Sequence, residues 1–287
     1  MTQDSGTTHH PLEGFPAGRG QVAAMRIYLL QRPIEWEDPE ANFRDIEERL
    51  DRDPPAKNSL LVLAEMFSTG FSFALEKVGE PEHGVSSEFL RHLSMKYGVA
   101  TVGSFPHQPP DGGKGLNRLL AYRPDGTLAA YYDKIHPFSY GKEADHYRGG
   151  ARLPVFEFQG WTICPTICYD LRFPELYRRA TLEGGANMFL CVANWPSARR
   201  DHWNALLRAR AVENQAVMVA VNRVGSDPLN GYAGDSQVID ARGRDLLQMG
   251  DSHECAQVEV ERDQLREWRE RFPALADATY EFEVLAP

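Results

Sequence analysis

The sequence has no apolar run long enough to cross a bilayer. The stretch "LLVLAEMF" is among its longest and is interrupted by Glu65, whereas a spanning helix needs about twenty apolar residues. A basic excess is missing too. Lys and Arg together number 31 against 41 Asp and Glu, for a formal net charge of -10, which argues against a general nucleic-acid binder because phosphate neutralisation needs a cationic face. Cysteine is sparse: Cys164, Cys168, Cys191 and Cys255 in 287 residues do not make a disulfide framework. No secretory h-region opens the chain, so the expectation is a cytoplasmic protein with reduced thiols. A zinc site is disfavoured, because Cys164 and Cys168 have no second close Cys or His pair to complete a tetrahedron.

What is present is a soluble-type composition, 42% hydrophobic and 25% charged, sufficient for a substantial core. Residues 1–22 are rich in Gly, Pro, Thr and His without periodicity and read as a disordered leader. Residues 23–287 read as one domain. Its segments alternate: "MRIYLLQ" as strand, then "DPEANFRDIEERLDR" as helix with Asp38 as N-cap, Pro39 in the first turn and Phe43, Ile46 and Leu50 on one face. "SLLVLAE" reads as strand, "VSSEFLRHLSMKYG" as a helix ended by Gly98, and "VATVGSF" as strand. Two hairpins turn at "PDG" and at Gln159-Gly160. The helices "FPELYRRATLEGG" and "RRDHWNALLRARAVENQ" alternate with the strands "ANMFLCVAN" and "AVMVAVNRVG". A last hairpin is expected to join "DSQVIDARGRDLLQMG" to "CAQVEVE". The pattern is α/β with mixed sheets.

Three polar residues end apolar strands and begin loops: Glu65, Lys134 and Cys168. Ligands of α/β sheets gather at strand ends, so the three side chains are candidates for one cleft. An acid, a cation and a thiol suit nucleophilic chemistry, since a carboxylate can take the thiol proton and a nearby positive charge favours the thiolate. Singly, each has an ordinary explanation: a packed cysteine, a solvated glutamate, a surface lysine. His136, close to Lys134, also leaves a Cys–His dyad open.

In their local sequence, "LAEMFSTGF", "YDKIHPF" and "ICYDLRFPEL", these residues resemble the Glu–Lys–Cys triad of the nitrilase, or carbon–nitrogen hydrolase, superfamily. "VANWPSARRDHWNALLRARAVENQAVMVAVNRVG" resembles that family's segment after the nucleophile. The resemblance implies a four-layer α-β-β-α sandwich, usually paired as a homodimer or higher homo-oligomer, and an amidase needing no cofactor and no metal. It implies Cys168 as nucleophile, Glu65 as general base, and Lys134 with the Tyr169 backbone N–H at the oxyanion. Glu143, in "YGKEADHY", matches the family's second glutamate.

Phrases such as "LLQRPIEWEDPEANF" and "NRVGSD" resemble the bacterial omega-amidase branch. That implies hydrolysis of a small-molecule substrate, the amide 2-oxoglutaramate or 2-oxosuccinamate, with a deaminated-glutathione amidase, an N-carbamoyl hydrolase or a silent metabolite-binding protein as rivals. Arg172 is the candidate for the substrate carboxylate, with a structural ion pair to Asp170 or Glu175 as its ordinary alternative. Phe67, Phe138, Asn194 and Trp195 complete the expected substrate-binding set.

Overall fold

The structure, a computed structural model, describes residues 24–279 and Glu283. The leader expected over residues 1–22 lies outside these residues.

In chain order the strands are β1 (Met25–Gln31), β2 (Leu60–Val62), β3 (Ala100–His107), β4 (Leu116–Tyr122) and β5 (Leu128–Asp133). Then come β6 (Phe156–Phe158), β7 (Trp161–Ile167), β8 (Met188–Ala193), β9 (Val217–Asn222), β10 (Val224–Ser226) and β11 (Gly231–Ala233). β12 (Gln237–Ile239), β13 (Asp245–Gln248) and β14 (Glu254–Val260) complete the set. Twelve of them build two six-stranded sheets, ordered β14-β1-β2-β3-β4-β5 and β13-β12-β9-β8-β7-β6, and β10 pairs with β11 in a separate two-stranded sheet. Pairing is parallel from β1 through β3 and from β7 through β9, and antiparallel outside those centres.

Alternation along the strands sets the layers. On β1, Met25, Ile27 and Leu29 enter a core shared with Ile163, Leu190 and Val219 of the other sheet. Tyr28 and Leu30 face the opposite way, onto Ile46, Leu50, Leu90 and Leu93 of the helices Pro39–Arg52 and Val85–Tyr97. The second sheet repeats the logic. Phe189, Cys191 and Met218 meet Tyr177, Trp203 and Leu207 of the helices Pro174–Leu182 and Arg200–Glu213. The result is the expected α-β-β-α sandwich. Residues of β8 and β9 are buried throughout, as befits parallel strands covered on both faces.

Local signals act as read. Asp38 caps its helix by accepting from Ala41 N at 3.0 Å, and Gly98 ends the next with φ +66°, a conformation glycine adopts freely. Gln159 and Gly160 both have positive φ, the requirement of a tight two-residue hairpin.

The last hairpin is corrected. β12 pairs with β13 around Asp240–Arg244, but "CAQVEVE", as β14, crosses to the other sheet and runs antiparallel to β1. The helix Arg262–Arg271 that follows was not read from the sequence; its Leu265 and Trp268 pack on the inter-sheet core.

Candidate active site

Glu65 lies just beyond β2, Lys134 just beyond β5 and Cys168 just beyond β7, so both sheets deliver a candidate residue to one end of the sandwich. All three line one cavity. Lys134 Nζ lies 3.0 Å from Glu65 Oε1 and 2.8 Å from Glu143 Oε2, with all three side chains out of solvent. Glu65 meets only donors: Asn117 Nδ2 at 2.7 Å and Lys134 on one oxygen, and the Asn194 backbone N–H at 2.7 Å on the other. Such a set of donors fixes the position of the Glu65 carboxyl group. Glu143 accepts in turn from Phe138 N at 2.6 Å and from Asn117 Nδ2 at 3.3 Å.

The electrostatics follow from burial. Loss of hydration opposes the Lys134 charge, yet Glu143 and Glu65 outweigh it and hold its pKa well above that of a free lysine. Burial, reinforced by Glu65, raises the Glu143 carboxyl above its ordinary value against the pull of Lys134. Burial and the neighbouring Glu65 push the Cys168 thiol well up, with Lys134 only partly countering. Cys168 is therefore held as a thiol, whose proton must be removed before its sulfur can act as a thiolate.

Cys168 has φ +46°, which costs a non-glycine residue about 1–3 kcal/mol and persists only where the surroundings impose it. Here Asp170 imposes it. Its buried carboxylate accepts from Ile167 N at 3.1 Å and Tyr132 OH at 2.7 Å on one oxygen, and from His136 N at 3.0 Å on the other. One side chain thus ties the Cys168 turn to the loop that carries Lys134. His136 Nδ1 lies 2.9 Å from Asp170 Oδ1 and its ring stacks on Phe173; this engagement with Asp170 replaces the Cys–His dyad.

This geometry coincides with what the chain is similar to. Residues 26–270 match the model of the carbon–nitrogen hydrolase family. The chain belongs to that family. The hydrolase is 40% identical to an omega-amidase, YafV, of Yersinia enterocolitica over 89% of its own length and 97% of the relative's. It is 32% identical to a 2-oxoglutaramate amidase of Bacillus subtilis, with 88% and 96% covered. A solved CN-hydrolase superfamily protein of Xanthomonas campestris, with an arsenic adduct in its active site, superposes at a TM-score of 0.84 and 38% identity, covering 92% of this chain and all of that one.

Most of the hydrolase's expected substrate residues line the cavity: Phe138, Arg172, Asn194 and Trp195, together with Tyr169, the expected oxyanion donor. Phe67 does not. Its ring is buried against Phe43 and Phe89 in the outer core of the first sheet, so the expectation that it walls the pocket is corrected. The ordinary alternative for Arg172 also fails. Among the described residues it has no carboxylate partner; it stacks on Trp195 at 4.8 Å and Tyr169 at 5.9 Å and meets His202 Nδ1 at 3.3 Å.

Sequence reasoning missed Asn117, which bridges both glutamates, and Phe71, Arg199 and Tyr232, which line the cavity. A polar residue early in the apolar strand "LNRLLAY" was the available sign for Asn117. Cys164 and Cys191 pack beneath the outer helices, Cys255 lies on β14, and all four cysteines are free thiols.

Proposed function

We propose that the hydrolase is an omega-amidase: a thiol amidase that converts a small 2-oxo acid amide, 2-oxoglutaramate or 2-oxosuccinamate, to the dicarboxylate and ammonia. The observation that carries the reading is that Glu65 and Lys134, the latter also paired with Glu143, share a cavity with Cys168 and with Arg172, which has no carboxylate partner among the described residues. The relatives' activities support the choice of substrate.

Cys168 Sγ attacks the amide carbon while Glu65 takes its proton. The developing oxyanion is met by Lys134 and by the backbone N–H of Tyr169, second residue of the one-turn helix Cys168–Arg172, where amide protons have no intrahelical acceptor. Glu65 returns the proton to the nitrogen, ammonia departs, and a thioester remains on Cys168. Glu65 then draws a proton from water, which attacks the thioester and releases the acid and the thiol. Glu143 holds Lys134 charged and aligned. The substrate carboxylate pairs with Arg172.

Ammonia release from 2-oxoglutaramate, 2-oxosuccinamate, peptide-like amides, N-carbamoyl amines and nitriles tests the reading, with Cys168→Ala as control. Preference for a bulky peptide-like amide refutes it. The homodimer and the cytoplasmic location that the sequence suggested belong to the same proposal, and light scattering measures the former.

A further inference from the structure

The cavity holds a second guanidinium that the mechanism above does not use. Arg199 lines it, half-buried, with its guanidinium 5.3 Å from the Phe138 ring. Phe138 packs on Tyr169 with ring centroids 4.8 Å apart, and Tyr169 and Trp195 carry Arg172. The two arginines therefore stand on one continuous aromatic wall. Neither has a carboxylate partner among the described residues, although the adjacent Arg200 is paired with Asp235. Burial lowers the pKa of Arg172, and the charge of Arg199 lowers it further. Two mutually repelling cations over aromatic faces are an arrangement that a small anion relieves.

We propose that Arg199 is a specificity-determining residue which, with Arg172, grips the carboxylate and adjacent oxo oxygen of the substrate, so that the cavity selects 2-oxo acid amides over amides that are neutral or carry an α-ammonium group. Polarity divides the cavity. Its floor holds Glu65 and Lys134 for the carboxamide, and its wall holds two cations for the other end. An α-amino acid amide such as glutamine brings its ammonium against that pair, whereas a 2-oxo group brings only acceptors. Like charges brought together this way reject a ligand as effectively as good contacts select one.

The inference rests on the amidase reading, and kinetics of Arg199→Met test it on three substrates of similar length: 2-oxoglutaramate, glutamine and pentanamide. Loss of a charge-assisted contact raises KM for 2-oxoglutaramate about 10- to 100-fold, with kcat/KM for pentanamide changed less than about threefold. Discrimination against glutamine narrows by a comparable factor. Arg199→Lys, which keeps charge without the fork, falls between. An unchanged KM for the anion, or an equal loss on pentanamide, overturns the assignment.

If the wild type hydrolyses none of the three, the amidase reading fails by itself. The arginine is then judged by calorimetric titration of glutarate into Cys168→Ala with and without Arg199→Met. Affinity at least about tenfold weaker in the double variant supports the grip, and equal affinity or no binding to either overturns it.

Discussion

Replacing Lys134 with methionine tests the electrostatic account of the site through stability rather than turnover. In the native protein one ammonium serves two carboxylates at 3.0 and 2.8 Å, with no solvent access to any of the three. Methionine keeps much of the volume and removes the charge, leaving Glu65 and Glu143 buried and facing each other. Breaking a buried pair from one side costs about 3–5 kcal/mol.

The chain can reduce that cost by taking a proton onto the carboxylate pair, and Glu143 is already biased that way by burial. The sign follows. A native carboxyl pKa raised above the unfolded value of about 4.3 means that the native state binds more protons than the unfolded state, so stability falls as pH rises. The slope for one extra bound proton is about 1.4 kcal/mol per pH unit. Lys134→Met is therefore least impaired near pH 5 and loses a further ~3 kcal/mol by pH 7, while the wild type shows a shallower dependence. Urea midpoints at the two pH values, for wild type, Lys134→Met and Lys134→Met/Glu143→Gln, measure this, with the double variant recovering stability at pH 7. A pH-independent loss, or no loss, refutes the picture of two carboxylates held by one cation.

Cys168→Ala or Cys168→Ser abolishes ammonia release while Cys164→Ser, beneath the outer helices, retains most of it; full activity of Cys168→Ala refutes the nucleophile. Asn117→Ala frees the Glu65 and Glu143 oxygens that its amide holds, and kcat falls about 10- to 100-fold with KM changed less, read from steady-state kinetics. Burial and Glu65 push the Cys168 thiol up, so its alkylation by iodoacetamide in the wild type keeps rising with pH through pH 9; a plateau near neutrality refutes a protonated resting thiol. Gly98→Ala places a Cβ at φ +66° with only the Lys57 side chain near, at 3.6 Å, and lowers stability by about 1–2 kcal/mol, measured by thermal melting.

The sandwich, and the convergence of Glu65, Lys134 and Cys168 on one cavity, were readable because each rests on a strong local signal. Strand alternation, the Asp38 cap, the Gly98 stop and the Gln159-Gly160 turn are decided within a few residues of themselves. Glu65, Lys134 and Cys168 each sit in a distinctive loop. What escaped depends on partners far along the chain. Nothing in "CAQVEVE" says whether it pairs with β13 or with β1, because both pairings satisfy the same alternation. Phe67 and Phe138 are both aromatic residues beside motif residues, and only packing sends one to the core and the other to the cavity. Asn117 is one polar residue whose two acceptors lie 52 and 26 positions away. Arg172 invites the ordinary expectation of an ion pair until Asp170 is found to accept instead from Ile167, Tyr132 and His136.

The crossing of β14 also orders events during synthesis. β1 has two neighbours, β2 on one side and β14 on the other, and the second pairing sets Met25 opposite Val260. A ribosome must therefore translate nearly the whole domain before its first strand is flanked on both sides. Until then β1 offers an unprotected hydrogen-bonding edge, the kind of surface that recruits foreign strands. Truncation before β14 should accordingly yield an aggregating chain rather than a smaller folded one.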